Sequence, residues 1–303
     1  MPNWREILTE IQTIQAQASL APDLVRRKWL AGLHRETKRN IIAYYSGFLS
    51  KPHIGLQTDI DDEDKNGFMM ATHKLDRQKG LDLILHTPGG SIAATQSIVD
   101  YLRQMYGKNI RAFIPQIAMS AGTMIACSCR EIWMGKQSNI GPIDPHLYGV
   151  PAYGVKAEFQ RACKEVKKDS TRIPIWQAII GQYRPTFLSQ CENAIKWSNK
   201  FVREQLESVM FEGDPNARTK ASNIVKELTK YTGTHSRHIH YEEAHNIGLN
   251  VKKLEDEPNL QDLVLTVHHC FMHALMNTPS YKLIENHLGV ALVKRETIQT
   301  VPQ

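Results

Sequence analysis

Apolar side chains recur along the 303-residue chain with two different spacings, and the spacing separates helix from strand. Ile7, Leu8, Ile11 and Ile14 fall on one helical face, so residues 4 to 18 are expected to form an amphipathic helix. Leu24 to Leu33 comes next as a second, basic one. Ile41 to Leu49 (IIAYYSGFL) has the β-branched and aromatic content of a core strand. The acidic run Asp59 to Asn66 invites a calcium reading but lacks the closing glutamate of a calcium loop. It reads better as the negative start of a helix continuing through Phe68 to Leu75. Leu83 to Leu85 is a short buried strand ended by Thr87-Pro88-Gly89-Gly90, after which Ile92, Thr95, Ile98, Val99, Leu102 and Met105 return at helical steps.

The next stretch repeats that scheme. Ile110 to Ile117 reads as a strand broken by Pro115, and Thr123 to Cys129 as the helix after it. Arg130 to Met134 is a further short strand. From there the spacing is almost wholly helical: Val155 to Lys168, Ile175 to Ile180, Phe187 to Met210, Ala221 to Leu228, Tyr241 to Leu249 closed by Gly248, and Leu260 to Met276. Beyond Met276 the chain has no clear period and reads as a tail. Neither an internal repeat nor a low-complexity tract interrupts it.

Two strand-to-helix corners about 30 residues apart hold the candidate chemistry. The double glycine of the first lets backbone N–H groups point outward and a bound atom come close. The second carries Ser120 in Met119-Ser120-Ala121-Gly122. A serine at a helix start is either an N-cap or a nucleophile whose hydroxyl lies near the positive end of the helix dipole. Pairing a donor corner with a serine corner favours the nucleophile.

The strings TPGGSIAA, AMSAGTMIA, CSCREIWMGKQSNIGPIDP and YEEAHNIGL resemble the Clp protease/crotonase superfamily. Within it the match is to the signal peptide peptidase A-like branch, and there to the serine dehydrogenase proteinase family. The resemblance covers about Asn40 to Val251. It implies an α/β, ββα-superhelical peptidase core over residues 40–255, preceded by a helical extension (1–39) and followed by a C-terminal helix and tail (256–303). It also implies Ser120 as nucleophile and an oxyanion hole built from the N–H of Gly89 or Gly90 with that of Ala121. A peptide or protein substrate and a homo-oligomer belong to the same expectation, which calls for no metal or other cofactor.

A serine hydroxyl needs a base, and the residues leave the choice open. Clp-type peptidases use histidine with aspartate, whereas the signal-peptide-peptidase branch uses lysine. Lys156 stands where that branch places its lysine, at the start of the helix after the Ile140-Gly141 turn; Lys164 is two turns on along the same face. The preferred reading is therefore a Ser120–Lys156 dyad in an ATP-independent endopeptidase, with Lys164 and then His146 as alternative bases. His146 is 26 residues past Ser120, but its local string IGPIDPHL departs from the Clp pattern, and Asp144 reads as a turn residue before proline. Crotonase-type acyl-CoA chemistry and a catalytically silent scaffold are the remaining alternatives.

Composition narrows this little. A formal charge of +6 without a compact basic stretch gives no reason to expect nucleic acid. Five cysteines without framework spacing suit a reducing compartment, and no stretch is long and apolar enough for a leader or a membrane span, so a cytoplasmic protein is expected. His238, His240 and His245, and His269 with His273, have zinc-compatible spacing but no acidic or cysteine ligand completes a motif. His86 reads as a strand end.

Overall fold

The computed structural model describes residues 4–15, 21–230 and 237–296. Residues 16–18 of the first expected helix lie outside that set. The strands are β1 (Asn40–Ser46), β2 (Leu81–His86), β3 (Ile110–Ile114), β4 (Ile117–Ala118), β5 (Glu131–Met134), β6 (Asn139–Ile140), β7 (His146–Leu147), β8 (Val150–Pro151), β9 (Val251–Lys253), β10 (Ser280–Asn286) and β11 (Ala291–Arg295). The helices are α1 (Trp4–Gln15), α2 (Ala21–Thr37), α3 (Asp64–Thr72), α4 (Ile92–Tyr106), α5 (Ala121–Cys127), α6 (Ala152–Lys168), α7 (Ile173–Ile180), α8 (Phe187–Gln205), α9 (Ala217–Leu228), α10 (Tyr241–Asn246) and α11 (Pro258–Asn277).

Seven strands make the main sheet in the order β11-β10-β1-β2-β3-β5-β9. β1, β2, β3, β5 and β9 run parallel, each joined to the next through helical crossovers, and β10 and β11 add antiparallel pairs at the β1 edge. Helices cover both faces, which is why the central strands are apolar at consecutive positions. Ile42, Tyr44, Leu83, Leu85, Ala112 and Ile114 face one core with α3, α4 and α5. Ile41, Ala43, Tyr45, Ile84 and Phe113 alternate into a second core beneath α2 and α11. This is the Clp/crotonase-like fold, with α1 and α2 as the expected N-terminal helices.

Two differences from the sequence reading matter. The region after Met276 is not a loose tail: residues 280–295 form β10 and β11 and complete the sheet. The acidic run also does more than start a helix. Lys282 of β10, fully buried, donates to Asp59 O (2.6 Å), Asp61 Oδ2 (3.1 Å) and Asp64 Oδ2 (3.0 Å). Lys294 of β11 reaches Asp61, Glu63 and Asp64.

Candidate active site

The two corners lie side by side. Thr87 N–H donates to Ile117 O at 3.1 Å and Met119 N–H to Thr87 O at 3.0 Å, which joins the end of β2 to the strand β4 leading into Ser120. Ser120 has φ 51° and ψ −114°, a conformation that non-glycine residues rarely hold, and its side chain makes no capping bond to α5. The hydroxyl is therefore not spent on the helix. It stands half-buried in a cleft of about 890 Å³, also lined by Gly90, Ser91 and Ile92 at the start of α4. The positive ends of α4 and α5 both border this space.

Backbone donors come from the glycine corner. Gly89 N–H donates to Thr87 Oγ1 at 3.1 Å, so it is occupied. Among the described residues no acceptor takes the N–H of Gly90, nor that of Ala121, the first residue of α5. Both glycines have positive φ, +105° and +150°. A Cβ on Gly89 would sit 2.7 Å from Ser120 Cβ and 3.0 Å from Ala121 N; one on Gly90 would sit 2.3 Å from Ile60 N. Ile60 pairs with both sides of Gly90, donating to Gly89 O (2.7 Å) and accepting from Ser91 N (2.9 Å), so the corner is held from behind.

The opposite wall is a β-hairpin, β7 and β8, turned at Tyr148 and Gly149 with φ of 52° and 79°. His146 begins it and lines the same cleft as Ser120. Its Nε2 is 3.3 Å from Asp144 Oδ2, and Asp144 is buried. The segment before the hairpin is fixed on several sides. Gly141 N–H donates to Thr123 Oγ1 (2.9 Å), Ile143 N–H to Leu228 O (3.0 Å), Ser198 Oγ to Ile143 O (2.8 Å) and Ala152 N–H to Pro145 O (2.9 Å). Asp144 was not among the expected site residues. Its sign in the sequence is the i,i+2 spacing to His146, which puts both side chains on one side of an extended segment.

The lysines are placed elsewhere. Lys156, half-buried, and Lys164, exposed, line a second hollow of about 540 Å³ with Phe159, Cys163 and Glu192, and neither belongs to the lining of the Ser120 cleft. The base candidate that shares a cleft with the serine is His146. Of the remaining histidines, His273 holds its Nε2 3.0 Å from Trp4 O, and its ring lies 4.0 Å from that of Trp4. His86 is fully buried among Tyr45, Phe48 and His268 rather than facing the cleft, and burial pushes its pKa down to about 3.

A mostly parallel sheet of ClpP type, a serine on a strained strand-to-helix corner and a donor corner beside it define the class of Clp-like serine proteinase folds. The chain belongs to the ClpP-like SDH-type serine proteinase family, whose model matches residues 23–284. Two relatives from Methanocaldococcus jannaschii, Uncharacterized protein MJ0137 and Uncharacterized protein MJ1495, are each 30% identical over 189 residues, or 62% of this chain. The matches cover 59% and 58% of those proteins, so the chain spans less than two thirds of the length of either. Among the described residues no helix is long and apolar enough to cross a membrane.

Proposed function

We propose that the protein is a serine peptidase in which Ser120 attacks a peptide carbonyl, His146 accepts its proton and Asp144 orients the imidazole. The observation that carries this reading is the shared cleft: Ser120 and His146 line one space, and a buried carboxylate lies 3.3 Å from the histidine ring. The Gly90 and Ala121 N–H groups are the donors for the developing oxyanion, each worth about 3 kcal/mol in such a site. His146 then returns the proton to the leaving amine, and water resolves the acyl-enzyme. Nothing in this chemistry consumes a nucleotide. The dyad with Lys156 is the weaker form of the same reading, because Lys156 lines a different hollow.

The substrate reading is a peptide or protein, and the apolar cleft rim of Leu56, Tyr148 and Trp197, all exposed, suits extended chains with bulky apolar side chains. A cytoplasmic homo-oligomer belongs to this proposal; all five cysteines are free thiols, as a reducing compartment requires. A fluorophosphonate probe is expected to label Ser120 in the wild type, and Ser120→Ala to abolish both labelling and peptide cleavage. Full cleavage by Ser120→Ala refutes the peptidase. The base is assigned by a pair of variants: His146→Ala loses turnover while Lys156→Ala keeps it, and the reverse pattern restores the lysine dyad.

A further inference from the structure

Lys282 lies on β10, about 160 residues beyond Ser120 in the chain, yet it ends at the back of the glycine corner. Its ammonium has three N–H donors and three acceptors within 3.1 Å: Asp59 O, Asp61 Oδ2 and Asp64 Oδ2. Lys282 and Asp64 are both fully buried. Asp64 is held further by the Tyr44 hydroxyl at 2.7 Å and the Asp61 N–H at 3.1 Å. A buried ammonium costs several kcal/mol to desolvate, and a neutral side chain of equal volume would fill the same space. The charge is therefore placed where it fixes the course of residues 59 to 64.

That course matters because Ile60, between two of the Lys282 partners, is the residue that brackets Gly90. It donates to Gly89 O and accepts from Ser91 N, the peptide units on either side of the Gly90 Cα; the first of these carries the Gly90 N–H on its opposite edge. A chain of short contacts thus runs from the ammonium to Asp59 O, through Ile60, to the donor that faces the cleft. We infer that Lys282 is a positioning residue for the oxyanion hole, setting the Gly90 N–H through the 59–61 segment. This deepens the peptidase reading above and rests on it. Lys282 touches no substrate and transfers no proton.

Loss of such a residue should weaken binding of the tetrahedral intermediate and leave ground-state binding of the peptide intact. Lys282→Met/Asp64→Asn removes the ammonium without leaving a buried carboxylate unpaired. With a fluorogenic peptide it is expected to lower kcat by roughly 10²-fold while KM stays within about threefold, since an ångström of misplacement costs about that much. Affinity for a peptide aldehyde, which forms an anionic hemiacetal on the serine, should fall by the same factor as kcat. Asp61→Asn, at a half-exposed position, is the milder companion and should show the same split at about tenfold, as expected when one of several ties is lost. Circular dichroism establishes which variants are folded; if the double variant is not, Asp61→Asn decides alone. An unchanged kcat in a folded variant, or a rise in KM with kcat intact, overturns the inference. Cleavage by Ser120→Ala in the same series overturns the peptidase reading instead, so the two failures are distinct.

Discussion

Gly90→Ala offers a strict test of the donor corner, because the size of the disturbance can be taken from the structure. The added Cβ would lie 2.3 Å from Ile60 N, 2.5 Å from Ile60 O and 2.9 Å from Ile60 Cα. Ordinary contact begins at 3.4 Å, so the corner and the Ile60 segment must separate by about 1 Å. All the atoms in the way are backbone, and none can swing aside as a flexible side chain would. The φ of +150° adds strain of order 1–2 kcal/mol for a residue with a Cβ. A shift of 1 Å in a catalytic donor costs about 10²-fold in rate, and complete loss of one donor 10²–10³-fold. Steady-state kcat and KM on a fluorogenic peptide, with fluorophosphonate titration to count competent sites, measure the effect. Gly107→Ala is the control: its φ is +59°, but nothing lies within 4 Å of the new Cβ. It should lose about 1–3 kcal/mol of stability and keep its turnover. A folded Gly90→Ala enzyme with wild-type kcat would refute the assignment of this N–H to the oxyanion.

The same geometry yields two further outcomes. Asp144→Asn should reduce kcat by about 10⁴-fold, and combining it with His146→Ala should cost no more than His146→Ala alone, because the two act as one unit; additive losses in a double-mutant cycle would separate them. His86 should make the fold sensitive to acid. Its folded pKa of about 3 lies below the ordinary 6.5, so between those values the unfolded chain binds a proton that the folded chain refuses. Stability is then full above pH 6.5 and falls as the pH drops towards 3, by ~1 kcal/mol per pH unit. His268, also lowered by burial and by His86, steepens the fall. Urea titrations from pH 7 to pH 4.5 should show a shallower slope for His86→Phe than for the wild type; equal slopes would place the acid sensitivity elsewhere.

The features legible in the sequence are those whose causes are local. β2 and α4 on either side of Thr87-Pro88-Gly89-Gly90, and the break at Pro115 before Ser120, arise from turn chemistry and period. The helix after Ser120 begins two residues earlier than its apolar pattern implies, because the serine's own backbone turns the chain into Ala121. β10 is different. Its string SYKLIEN places Lys282 and Glu285 at fully buried positions, and their partners, Asp64 and Arg26, are more than 200 residues away. No window of the sequence shows that such charges are satisfied, so the strand reads as tail. The sequence reading ranks His146 behind Lys156 and Lys164 for a related reason. Lys156 stands out at the start of a regular helix, whereas His146 sits on a two-residue strand too short for any period. What recommends it is a neighbour across a cleft.

The narrow hairpin from His146 to Pro151 forms one wall of that cleft and also presents Tyr148, 82% exposed, at its tip. The proposed proton acceptor and the exposed tip thus ride on a single ribbon six residues long. On the proposed mechanism, reshaping this ribbon to admit a new peptide also moves its imidazole, so taste and turnover are bound to drift together.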